Sequence, residues 1–244
     1  LGEGQSRSTS FQYSLSDGQG ASSVATVTVT VQGMNDAPVA ADDAFTAYED
    51  TPMALGSLLA NDSDADDGDS LHEQLASATG SGGGMFIVDD GGALFFVAGS
   101  DFDDLQVGQF RDTSYTYTVS DEHGGSTQAQ VTVTVMGTND GPVGVADSYD
   151  ADANVAIVLG GPVDNDTDVE GDSLSLVAFE AGAGSNGGIF SADEYGNLSF
   201  DPAGQFDNLA FGETCETSFT YEVQDGNGGV ASAVVTVTVH GVNV

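Results

Sequence analysis

A fixed interval of 104 residues organises this chain and constrains its folding more than any other feature. YSLSD at 13–17 returns as YTVSD at 117–121 and YEVQD at 221–225. TVTVQG, TVTVMG and TVTVHG begin at 28, 132 and 236, with the same step between them. NDAP at 35–38 returns as NDGP at 139–142. A repeat of about 100 residues is the size of one domain, not of a solenoid unit. The spacing therefore predicts residues 1–36 as the last two strands and linker of a partial module, followed by complete modules at 37–140 and 141–244.

Within each module the apolar residues keep period two. Tyr115, Tyr117 and Val119 alternate with Thr116 and Thr118, and Val131, Val133 and Val135 alternate with Thr132 and Thr134. That pattern gives strands with one buried and one wetted face. DEHGG at 121–125 and DGNGG at 225–229 stand between paired runs as hairpin turns. Further strands are expected near 44–48, 53–59, 71–78, 85–88 and 93–97, with a turn at Asp90, Gly91 and Gly92. No stretch carries a sustained helical period. About seven short strands per module predict an all-β chain of tandem Ig-like antiparallel sandwiches. A lone hairpin such as 1–36 is marginal in water. The expectation is that its missing strands precede it in a longer chain; strand addition from a neighbouring subunit is the alternative.

Charge removes several function classes. The chain has 39 Asp and Glu against 2 Lys and Arg, a formal net charge of -37. Nucleic-acid binding needs the cations this chain lacks, and the same sign opposes anionic membrane surfaces. No apolar run is long enough to span a bilayer, so membrane insertion is not expected. The single cysteine, Cys215, forms no internal disulfide and reads as a small strand residue. A chain so acidic repels itself when compact, unless cations or salt screen it.

The carboxylates are concentrated in NDSDADDGD at 61–69 and DNDTDVEGD at 164–172. Alternate spacing, as in Asp62, Asp64 and Asp66 or Asp166, Asp168 and Glu170, lets a curved loop turn several oxygens inward. Hard oxygens in flexible number suit Ca2+. Zinc would want His or Cys, and His72, His123 and His240 are scattered. An EF-hand is excluded: Gly68 stands one place late for the loop's turn, Val177 fills the twelfth position in the second copy, and no helices flank either loop. A salt-adapted, solvated surface is the competing reading, and recurrence beside the Asn-Asp linkers weighs against it.

FTYEVQDGNGG with TVTVHG, and YTYTVSDEHGG with TVTVMGTNDGPV, resemble the VCBS and bacterial cadherin-like repeats of large secreted surface adhesins. The resemblance covers essentially the whole chain and implies cadherin-like sandwiches with calcium at the junctions. It implies Asn35, Asp36, Asp62, Asp64 and Asp121 as ligands at the first junction. At the second it implies Asn139, Asp140, Asp166, Asp168 and Asp225. Secondary members are Asp43 and Asp69 at the first junction and Asp147 and Asp172 at the second. An Ig-like sandwich independently places the two loops concerned at one end. No clear Asp-Arg-Glu motif is present, so the ligands supplied by the preceding module stay open.

Three function classes compete for such a chain. The first is a calcium-rigidified extender of a bacterial cell-surface or extracellular adhesin or filament. Its partners would be neighbouring modules, other copies in a filament or matrix, and a glycan or cell-surface ligand held through other domains. The second is a carbohydrate-binding sandwich; the chain has no Trp, and of its tyrosines Tyr48 and Tyr195 sit near turns where a ring could face a sugar. An enzyme is not expected, because no Ser/His/Asp or Cys/His set recurs and His123 has Asn227 in its place in the next module.

Overall fold

A computed structural model describes residues 1–66, 68–177 and 182–242. Asp67, within the first acidic run, lies outside the described residues. The chain separates into two compact units, Leu1–Phe102 with Phe110–Met136, and Asp103–Gln109 with Gly137–Val244. The first unit opens on a hairpin of β1 (Ser6–Ser16) and β2 (Ser22–Gln32). It continues through β3 (Asp43–Tyr48), β4 (Met53–Ala54), β5 (His72–Gln74), β6 (Ala78–Thr79), β7 (Met85–Val88), β8 (Leu94–Val97), β9 (Phe110–Ser120) and β10 (Ser126–Met136). The second repeats the series as β11 (Asp147–Asp152), β12 (Ile157–Gly160), β13 (Ser175–Leu176), β14 (Gly182–Ala183), β15 (Ile189–Ala192), β16 (Leu198–Asp201), β17 (Thr214–Gln224) and β18 (Val230–His240).

Each series forms two four-stranded sheets, and the fold is all-β. In the first unit their orders are β3-β10-β9-β5 and β4-β8-β7-β6; in the second they are β11-β18-β17-β13 and β12-β16-β15-β14. Pairing is antiparallel except where β3 and β11 run parallel to β10 and β18. The long hairpins are in strict register from Ser126 opposite Ser120 to Met136 opposite Phe110. This is what unbroken Val/Thr alternation specifies, because a one-residue slip would turn every valine outward. Val131, Val133 and Val135 are fully buried, as are Val235, Val237 and Val239.

The facing sheets contribute aromatic rings to each core. Phe86 lies 5.2 Å from Phe96 and stacks at 5.3 Å on Tyr115, whose hydroxyl accepts the Ala76 N–H. Phe190 and Phe200 meet at 5.0 Å, with Phe219 stacked on Phe190 at 5.7 Å. Such pairs contribute about 0.5–1.5 kcal/mol each beyond the area they bury. Buried Thr113 donates to the Gly83 carbonyl and accepts the Gly82 N–H; Thr217 likewise donates to the Gly187 carbonyl and accepts the Asn186 N–H.

Two expected strands are shorter than the sequence suggested. The run at 53–59 pairs only at Met53–Ala54, and Leu58–Asn61 closes as a 3-10 turn. The adjacent Leu58 and Leu59 break the alternation a strand needs, and burying Leu58 curls the chain inward. The run at 71–78 divides into β5 and β6, with the intervening chain tied by the Tyr115 bond to Ala76. In β1 and β2 the apolar residues are left uncovered, with Phe11 60% and Leu15 62% exposed.

Candidate metal centre

The Asn-Asp linker reaches each sandwich at the end where the acidic loop and the β9–β10 or β17–β18 turn converge. In the first unit Asn35 donates through Nδ2 to Asp121 Oδ2 at 3.0 Å. The Asp36 N–H is taken by Asp66 Oδ2 at 2.8 Å. Asp66, 4% exposed, sits deepest, and its own N–H is held by Asp64 Oδ1 at 2.8 Å. The other Asp121 oxygen accepts the N–H groups of His123 and Gly125, both at 2.8 Å. One oxygen each from Asp64, Asp66 and Asp69 lies within 4.8 Å of the others. His123 Nδ1 stands 3.2 Å from Asp69 Oδ2.

The second unit repeats this arrangement with different residues. Asn139 Nδ2 donates to Asp225 Oδ2 at 2.8 Å, and the Asp140 N–H to Glu170 Oε1 at 2.8 Å. Asp168 Oδ1 accepts the Asp172 N–H, and Asp172 Oδ2 accepts Asn227 Nδ2. Asp225 Oδ1 gathers the N–H groups of Asn227, Gly228 and Gly229. Glycine is required beside this carboxylate. A Cβ at Gly229 would stand 2.1 Å from Asp225 Oδ2 and 2.7 Å from the Gly141 Cα, and one at Gly125 would stand 2.2 Å from Asp121 Oδ2.

At six of these side chains the network uses one polar atom and leaves the other without a donor, whereas both oxygens of Asp121 and of Asp225 are satisfied. Asn35 Oδ1, Asp64 Oδ2 and Asp66 Oδ1 are buried without a hydrogen-bond partner, and so are Asn139 Oδ1, Asp168 Oδ2 and Glu170 Oε2. Buried anionic oxygens without partners are costly, and these share one chemistry: hard oxygen, negative charge and more than one side chain. Zinc would be served poorly by such a set. The residues present fit a calcium-sized cation, which takes six to eight oxygens at about 2.3–2.6 Å.

The structure divides the residues expected from sequence into two groups. Asn35, Asp36, Asp64, Asp69 and Asp121 come together, as do Asn139, Asp140, Asp168, Asp172 and Asp225. Asp43 and Asp62 lie about the Tyr117 hydroxyl, and Asp147 and Asp166 about that of Tyr221; Asp62 Oδ2 and Asp147 Oδ2 are likewise buried without a hydrogen-bond partner. Tyr117 donates to Asp43 Oδ2 at 2.7 Å, while Asp62 Oδ1 accepts the Ala41 N–H. Tyr221 lies 3.1 Å from both Asp166 oxygens, and Asp166 Oδ1 accepts the Val145 N–H. Asp66 and Glu170 were absent from the junction sets drawn by resemblance, yet they clamp the linker in both units. Their signal was the i, i+2 alternation of the acidic runs and the 30-residue step from Asp36 and Asp140. In the second unit the loop Asp103–Gln109 also reaches this region, with Gln106 Nε2 donating to the Glu170 carbonyl at 3.3 Å.

Five of these carboxylates are shifted from their ordinary range, two downward and three upward. Hydrogen bonds from Asn35 and Asn139, and then from the turn N–H groups, hold Asp121 and Asp225 below the usual carboxylate range. Burial raises Asp43, Asp147 and Glu170, with Asp62, Asp166 and Asp168 respectively adding repulsion. An acid raised in the folded state binds its proton more tightly there, so stability falls as pH rises from about 4, the ordinary carboxylate value, through the raised one. The chelated protein is therefore expected to melt higher at pH 5 than at pH 7. The gain should reverse below about pH 4, as Asp121 and Asp225 lose their charge. Thermal melts in chelator across this range check the sign, and a flat profile would contradict it.

The model of the bacterial cadherin-like domain family matches residues 35–137 and again residues 139–241. This chain belongs to that family. It is also similar to the calcium-binding lectin RapA2 of Rhizobium johnstonii, with 27% identity over 229 residues, covering 84% of this chain and 97% of the relative. Among solved structures, mouse clustered PcdhgC3 EC1-3 aligns with 99% of this chain and 79% of its own length at 15% identity and a TM-score of 0.46. Human mucin-like protocadherin EC1-2 aligns over 84% and 98%, at 18% identity and a TM-score of 0.40. Among the described residues no helix is long and apolar enough to cross a membrane.

Proposed function

We propose that this chain is a run of calcium-stiffened modules from an extracellular adhesin-like protein, with complete modules at 37–140 and 141–244. Residues 1–36 repeat the closing hairpin of the later modules, since β1 and β2 pair in the register of β9 and β10. The observation that carries the calcium reading is the recurrence, beside both Asn-Asp linkers, of buried amide and carboxylate oxygens that no donor satisfies. A divalent cation would satisfy them together and tie the linker to the loops beneath it. Without it, the like charges repel and the linker loosens. The outcome is extension, in which the modules hold a binding function away from a bacterial surface or build a matrix.

Small-angle scattering in calcium, magnesium and chelator tests this reading. The expected result is a longer and more uniform particle in calcium alone. Identical profiles in all three would contradict it. A second reading, carbohydrate recognition, is favoured by the name of the Rhizobium relative, a lectin. It adds to the first, since an extender module can itself carry a sugar site.

A further inference from the structure

The second unit carries an exposed aromatic groove for which the metal centre has no use. Tyr195 stands at the tip of the β15–β16 hairpin and is 82% exposed. The tip is held firmly. Asp193 Oδ1 accepts the N–H groups of Tyr195 and Asn197, both at 2.9 Å, and Asp193 Oδ2 accepts the Asn197 side-chain amide at 2.9 Å. Those bonds draw Asp193 below the usual carboxylate range. A large ring is thus presented to water on a braced turn, where a solvated loop would ordinarily place a small or polar residue.

The ring borders a groove of about 400 Å3, within the range of small-molecule clefts, roughly 300–1,000 Å3. Leu174 and Leu176 line it, and both pack against the core. Its polar edge comes from Asp164, on the 3-10 turn Pro162–Asn165, and from Glu194 and Ser175. An aromatic face, an apolar floor and a few hydroxyl and carboxylate groups at the edge are the components that bind a sugar ring. The C–H face stacks on the tyrosine, and the carboxylates accept from the hydroxyls. The repeat supplies an internal control, because Gly91 and Ala60 stand in the first unit at the places of Tyr195 and Asp164.

We infer that this groove binds a neutral, hydroxyl-rich glycan, an inference that rests on the carbohydrate reading above. Neutral sugars are favoured because Asp164 and Glu194 edge the groove in a chain of net charge -37, which repels acidic polysaccharides. The full chain, kept in calcium throughout, should be titrated calorimetrically with neutral gluco-, manno- and galacto-oligosaccharides and with polygalacturonate. At least one neutral oligosaccharide should bind. Tyr195→Gly, which restores the first unit's residue, should weaken it about tenfold or more, Asp164→Ala several-fold, and Tyr195→Phe about twofold or less. Melting temperatures of the variants verify that each is folded. Neutral binding that survives both Tyr195→Gly and Asp164→Ala would overturn the groove while leaving the lectin reading standing. Failure of every sugar would overturn both, and exclusive binding of polygalacturonate would overturn the neutral ligand.

Discussion

Millimolar calcium is expected to raise the melting temperature by about 10–20 °C over the chelated protein, and magnesium at the same concentration by far less. A ligand that binds only the folded state at ~100 times its dissociation constant adds about 2.7 kcal/mol. For a domain of this size each kcal/mol moves the midpoint by roughly 4–8 °C. The chemistry selects calcium because its coordination number is flexible, whereas magnesium demands near-octahedral geometry and gives up its waters reluctantly. The sets described above, an amide oxygen from Asn35 or Asn139 with two carboxylates of the acidic loop, mix ligand types and chain segments. Differential scanning calorimetry of the full chain, with calcium, magnesium and chelator in parallel, reads the shift. Equal midpoints in all three would remove the stabilising role of the ion.

Neutralising the second centre should change stability in opposite directions with and without calcium. In Asp168→Asn/Glu170→Gln, two charges are removed from a cluster in which burial and repulsion already raise Glu170. The amide oxygen of the new glutamine can still accept the Asp140 N–H, so the linker contact is retained. In chelator the variant should melt a few degrees above the parent. In calcium it should melt below it, because the second unit loses most of its ion-dependent gain. A structural defect would lower both midpoints, and a merely solvated acidic surface would raise both. The crossing of the two effects therefore isolates the cation, and the pair of melts distinguishes all three outcomes.

The centres of the long hairpins could be read from the sequence, at 115–119 and 131–135, because alternation of Tyr and Val with Thr admits one register; the strands extend beyond them to 11 residues each. The short strands could not, since two or three paired residues carry no period of their own. Thus 53–59 became a two-residue strand and a turn once the Leu58 side chain went inward. The site shows the same division. The acidic runs and Asn-Asp linkers could be assigned to a common end of each sandwich, because charge density and recurrence are visible in one dimension. The choice among neighbouring aspartates was not visible. Asp62 and Asp64 are two residues apart, yet one turns to the Ala41 N–H and the other braces Asp66. That choice depends on where Tyr117 and Tyr221 direct their hydroxyls, a matter of cross-sheet packing rather than spacing.

A crystal structure grown from protein held in millimolar calcium tests the central claim most directly. The account predicts a calcium ion about 2.3–2.6 Å from Asp64, Asp66 and the Asn35 amide oxygen, and another at the same distance from Asp168, Glu170 and Asn139. Well-ordered density with water alone among those oxygens would contradict it.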